Sequence, residues 1–240
     1  MTIPKPAPRR ATARGSKRFS LVPTAAQQKM YEALAALKPA KADDASGAEV
    51  TEIAVCLAVD AKDPVILAYE ARAVRKRGRR MAKRGARLTA SASAAVTALL
   101  DEALLGNASL GKAGATAVVV CVGRLETGTD GRKDYRNAFQ FAARYKLPIL
   151  FVVANTWTRG RRQALDLRTL HAEFGIPVFS VDAGDAIAAY RVATEALHNA
   201  RHGRGPCIIE ALTVDGKGND PASARELLTV YMERHGNRPR

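Results

Sequence analysis

Past Gly106 the chain settles into an alternation that few architectures accept. Continuous apolar runs, ATAVVVCV (115–122), PILFVVA (148–154), PVFSV (177–181) and CIIEALT (207–213), are separated by segments with helical periodicity. The helical segments are YRNAFQFAARY (135–145), RQALDLRTLHAEF (162–174) and DAIAAYRVATEALHNARH (185–202). Strands that are apolar on both faces and are joined through helices belong in a parallel sheet covered on both sides. The fold class is therefore α/β, with a mostly parallel sheet between two helical layers. Asp185 is placed to cap its helix, and Gly203 follows its end. A last helix, from about Ala222 to Arg234, lies beyond the final strand.

Upstream the signal is helical. Thr24 is placed to cap a helix through AAQQKMYEALAALK, which stops near Lys38-Pro39. After a polar linker, Val50, Ile53, Ala54, Leu57 and Ala58 fall on one helical face. TASASAAVTALLDEALL (89–105) reads as a helix of small residues suited to close approach and to an interface. Residues 1–22 read as a disordered basic tail and 23–240 as a single α/β domain, with 72–88 as a mobile basic loop.

The net charge of +15 is concentrated. Residues 1–20 carry six positive charges and residues 72–87 carry nine, with no acid in either segment, so together they equal the whole excess. Such runs suit a polyanion or a phosphate-rich ligand. No groove-reading motif accompanies them, which leaves a nucleic-acid role as an alternative only. Cys56, Cys121 and Cys207 stand in apolar runs without a CxxC pair, as buried thiols of a reducing compartment do. No apolar stretch approaches the ~18 residues of a membrane span, and no signal peptide is visible, so the expected location is cytoplasmic, with no membrane partner.

In parallel α/β sheets ligands sit in the crevice beyond the carboxyl ends of the strands. The apolar strand 115–122 is expected to end at Val122 and to hand Gly123, Arg124 and Leu125 to that crevice. The following RLETGTDG has glycines for an anion-holding loop, but Thr129 and Asp130 stand where a P-loop needs Lys and Ser/Thr. His198 and His202 are four residues apart with no third ligand in view and read as a solvated helix end. Trp157 reads as packing, and Asp182 and Asp185 as a turn and a cap. No nucleophile motif accompanies His171 or His235, so neither a catalytic residue nor a metal ligand is assigned.

Several spaced segments nevertheless agree, in order, with one family. NAFQFAARYKLPILFVVAN, FGIPVFSVDAGDAIAAYRVATEAL and GRGPCIIEALT resemble the alpha subunit of thiamine-diphosphate-dependent 2-oxo acid dehydrogenases, of pyruvate dehydrogenase or branched-chain type. Weaker echoes lie at Gly47, Glu49, Asp63 and Tyr69, so the likeness spans roughly 24 to 225 and is densest from 137 to 213. It implies a three-layer thiamine-diphosphate-binding fold, a diphosphate clamped through Mg²⁺, and a beta subunit that completes the site. A homodimer is the expectation where no beta-like partner exists.

The resemblance also marks the positions that would hold the cofactor: Gly123 and Arg124 at one turn, Asn155 and Thr156 one strand later. Arg124 falls where the family's turn has an aspartate that binds the metal, and Thr156 where it has a ligating asparagine. An ungapped alignment instead puts Glu126, Thr127 and Gly128 at that turn. Arg72 takes the place of an upstream histidine, and VDGKGNDP (214–221) has none where the family has a histidine-bearing loop. These changes imply a shortened relative with lost or reduced binding of thiamine diphosphate and Mg²⁺, inactive alone, in an assembly, regulatory or anion-binding role. An active alpha subunit working with a beta subunit is the alternative.

Overall fold

A computed structural model of the chain describes residues 22–36, 49–59, 63, 65–68, 87–89, 118–124, 129–157, 167–214 and 221–235. The tail at 1–21, the basic run at 72–86, the small-residue segment from 90 to 105 and the arginines at 159–162 lie outside the described residues.

The run Ile149–Trp157 (β4) lies inside a six-stranded sheet in which every pairing is parallel. On one side follow Val118–Arg124 (β3), Val65–Ala68 (β1) and Arg87–Thr89 (β2); on the other, Cys207–Val214 (β6) and Val178–Asp182 (β5). The order is thus β2-β1-β3-β4-β6-β5. β1 and β2 are additions to the strands read from the pattern, and Thr89 belongs to a strand rather than opening a helix.

Side chains alternate across a strand, so one apolar run serves two cores. Leu150 and Val152 of β4 and Ile209 of β6 face Thr24–Ala35 (α1), Glu49–Ala58 (α2), Ala186–Arg201 (α5) and Pro221–Arg234 (α6), against Met30, Ile53, Leu197 and Leu228. Ile149, Phe151, Val153 and Ile208 pack on the opposite side with Thr129–Arg144 (α3) and Leu167–Phe174 (α4), around Phe139, Leu167 and Leu170. Three layers result. Val22, which the sequence places in the tail, is 1% exposed and part of the first core.

The helix ends show what local chemistry decided. Asp185 caps α5 as expected, its Oδ1 accepting from the Ile187 and Ala188 amides at 3.0 and 2.9 Å. Gly203, just past that helix, takes φ 73°, a conformation open to glycine at little cost. Thr24 is not the cap of α1. That position is Pro23, whose carbonyl accepts from Ala26 and Gln27, and whose fixed φ suits helix entry without a side-chain bond. Among the described residues, no helix is long and apolar enough to cross a membrane.

Candidate functional site

The candidate site is the row of residues at the carboxyl ends of β3, β4, β6 and β5. Its first member departs from the sequence reading. β3 does not stop at Val122: it runs on through Gly123 and Arg124, which pair with Val153 and Ala154 of β4. The pairing passes from Cys121–Val152 to Gly123–Val153, so Val122 is an extra residue in the ladder. Bulges of this kind re-aim the residues that follow them. Glycine and arginine carry little strand propensity, but the ladder to β4 extends the strand regardless.

β4 is also longer than its apolar run. Asn155, Thr156 and Trp157 continue it and pair with Leu212, Thr213 and Val214 of β6. Asn155 and Thr156 are therefore strand residues, and Arg124 lies beside Ala154, the residue preceding Asn155. All four predicted positions, Gly123, Arg124, Asn155 and Thr156, come together on two adjacent strands. The alternative turn, Glu126 to Gly128, lies outside the described residues.

Two further residues complete the polar row. The Asn155 Nδ2 amide donates to Glu210 Oε1 on β6 at 2.6 Å, and the Ser180 hydroxyl on β5 donates to Glu210 Oε2. Glu210 is 9% exposed, so this carboxylate sits within a buried strand, below its carboxyl end, with a donor on each oxygen. The Thr213 hydroxyl donates to the Asn155 carbonyl at 3.1 Å and ties the two strands again. Neither Glu210 nor Ser180 was assigned from sequence. The signal was present: Glu210 is the single charge in CIIEALT, and a buried charge inside an apolar strand demands partners.

The neighbouring turn is built by carboxylates in structural roles. Asp182 Oδ1 accepts from the Gly184 amide at 2.8 Å, and the Ala183 amide donates to the Leu212 carbonyl at 3.0 Å. The Thr51 hydroxyl of α2 donates to the Ala183 carbonyl at 3.3 Å, anchoring the helical layer at the strand ends. At the opposite end of β6, burial and then the Glu195 charge push the Cys207 thiol up to about 11. Among the described residues, no group of three or more His, Cys, Asp or Glu could hold a metal ion. Chemically, the row offers a buried carboxylate, the amide it holds, and an arginine at the end of the neighbouring strand.

Comparison with known proteins finds sequence relatives of this chain. The family described as "Dehydrogenase E1 component" matches residues 92–219. The pyruvate dehydrogenase E1 component subunit alpha of Porphyra purpurea is 36% identical over 106 residues, 42% of this chain and 31% of that protein. The subunit of the same name from Rhizobium meliloti is 35% identical over 122 residues, 47% of this chain and 35% of that protein. A solved structure described as a thiamin diphosphate-dependent enzyme from Mycobacterium smegmatis aligns with 69% of this chain and 31% of its own, at 20% identity and a TM-score of 0.47. The chain spans about a third of the length of the two alpha subunits it matches. With the matched segment covering more than half of its residues, the chain belongs to the dehydrogenase E1 component family.

Proposed function

We propose that this chain is an E1 alpha-like subunit whose strand-end crevice holds a phosphate-rich anion without a metal clamp, and that it does not decarboxylate a 2-oxo acid alone. The observation that carries this reading is the position of Arg124, which closes β3 beside the Ala154–Asn155 step of β4. A Mg²⁺ ion needs a near-octahedral set of oxygen ligands. In sequence the row has an arginine where a carboxylate ligand would be needed, a threonine, and an asparagine whose Nδ2 donates to Glu210 and whose carbonyl oxygen is at best one neutral ligand. They do not fit a Mg²⁺-held diphosphate.

The sign of the effect is large enough to decide. Two unit charges ~4 Å apart interact by roughly 4 kcal/mol at an effective dielectric near 20. Exchanging an attracting carboxylate for a repelling arginine swings a divalent site by a multiple of that. The same guanidinium binds phosphate oxygens in a bidentate fork and can take over the charge balance. The alpha subunits it resembles support a beta-like partner, with a homodimer as the alternative assembly. The basic runs at 1–20 and 72–87 favour the same class of anionic ligand.

Calorimetry with inorganic pyrophosphate, and with thiamine diphosphate with and without Mg²⁺, tests this reading. Binding of pyrophosphate that needs no Mg²⁺, weakens with salt and is lost in Arg124→Ala supports it. Tight thiamine diphosphate binding that depends on Mg²⁺ overturns it in favour of an active alpha subunit.

A further inference from the structure

We propose that His198 and His202 form a two-imidazole site for a borderline-soft divalent cation, Cu²⁺ or Ni²⁺ before Zn²⁺, at the carboxyl end of α5. The two residues are one helical turn apart, both exposed, with ring centroids 4.1 Å apart and planes tilted by 36°. His202 Nδ1 lies 2.7 Å from the His198 carbonyl oxygen. A carbonyl only accepts, so in the neutral ring the proton sits on Nδ1 and the lone pair on Nε2. Metal-bound histidines show this same arrangement, with the second nitrogen tied to a carbonyl or carboxylate.

The ring spacing selects among metals. With a metal–nitrogen bond of ~2.0–2.1 Å, each ring centre lies roughly 3.2 Å from the ion. Two ligands at a right angle then have centroids about 4.5 Å apart, and two at a tetrahedral angle about 5.2 Å, the former typical of Cu²⁺ and Ni²⁺ and the latter of Zn²⁺. The observed 4.1 Å is nearer the first. Affinity order among first-row divalent ions points the same way.

Local electrostatics favour a cation at this helix end. The carboxyl terminus of a helix carries partial negative charge. Glu195 lies three residues before His198, and the charge of Arg201 is balanced by Asp63. Arg191 and Arg204 oppose it, so the site is expected to be modest in strength. Its ion would bridge the last turn of α5, ahead of Gly203 and the entry to β6.

The test uses the full chain without a polyhistidine tag, which has four histidines in all. Titration with Cu²⁺ and Ni²⁺ in a non-chelating buffer is expected to show one saturable site per chain, with Cu²⁺ the tighter. Electron paramagnetic resonance of the Cu²⁺ form should report two imidazole nitrogens. His198→Ala and His202→Ala should each weaken binding by about tenfold or more, the equivalent of at least one decade in Kd. His171→Ala and His235→Ala should leave it unchanged. Absence of a saturable site in the wild-type chain, or a site that survives both His198→Ala and His202→Ala, overturns the proposal. Circular dichroism of the variants separates a lost ligand from a lost fold.

Discussion

Asn155 on β4 and Glu210 on β6 are joined side chain to side chain across adjacent parallel strands, the amide donating to the carboxylate at 2.6 Å. Glu210 is opposite Val153 in the ladder, so Asn155 reaches it from two residues further along the same face. Ser180, directly opposite Glu210 on β5, supplies the donor to the second oxygen. One carboxylate thus connects three strands beneath the end where the candidate crevice opens.

Glu210→Ala removes the acceptor of both donors while burying their surroundings no less. Leaving a buried donor without its acceptor costs about 1–3 kcal/mol. The expected loss is in that range, read as a lower urea midpoint at unchanged slope. Glu210→Gln keeps one good acceptor and should lose less. Ser180→Ala should lose least, because Ser180 is exposed on an edge strand and water can replace its partner.

Arg201 at the end of α5 pairs with Asp63, whose side chain is fully buried, while that of Arg201 is 17% exposed. Removing one partner of a buried pair leaves the other charge uncompensated, at a cost of about 3–5 kcal/mol. Arg201→Ala is therefore expected to destabilise strongly. The double variant Asp63→Ala with Arg201→Ala should be less damaging than the two single losses added together, because the interaction the two side chains share is then lost only once. Denaturation of the four proteins of that cycle measures the coupling directly.

The carboxyl-terminal half was legible because its strands are buried on both faces, so that they read as unbroken apolar runs such as Ile149 to Ala154. The cap at Asp185 and the glycine at 203 are local chemistry and were read correctly from neighbouring residues. β1 and β2 escaped because four and three residues, VILA and RLT, are too short to show a period. Strand ends were misjudged for a tertiary reason. Gly123, Arg124 and Asn155 are poor strand formers, and they and Thr156 are held in the sheet by their ladder partners. The resemblance located these four positions, but their meeting on adjacent strands, and the role of Glu210 beneath them, depend on which strand neighbours which.

Cys207 opens β6 and is 3% exposed. Burial, assisted by Glu195, holds its thiol up to about 11, against 9.0 for an unburied cysteine. A raised value means that the folded chain keeps this proton longer than the unfolded chain does. Its contribution to stability is therefore complete below about 9 and is lost as the pH rises through about 11. Cys207→Ala should flatten that alkaline decline. At pH 8 a disulfide exchange reagent should label Cys207 only on unfolding, since the thiolate is the reactive form.

Phe139 of α3 meets Phe151 of β4 edge to face, with ring centroids 4.8 Å apart, and both are fully buried. Phe139 is therefore the contact by which the helix following the Arg124 strand is held against the centre of the sheet. Truncation of such a residue costs about 3–5 kcal/mol through lost transfer energy and the cavity left behind. Phe139→Ala is expected to fall in that range. Phe139→Leu fills much of the space and should lose mainly the ring pairing, about 0.5–1.5 kcal/mol, with some repacking. Pyrophosphate binding separates packing from the site. Phe139→Leu should leave it within a factor of about two at a temperature where the variant is folded, less than 1 kcal/mol. A larger loss would mean that the seat of α3 on Phe151 positions the β3 end as well as stabilising the sheet.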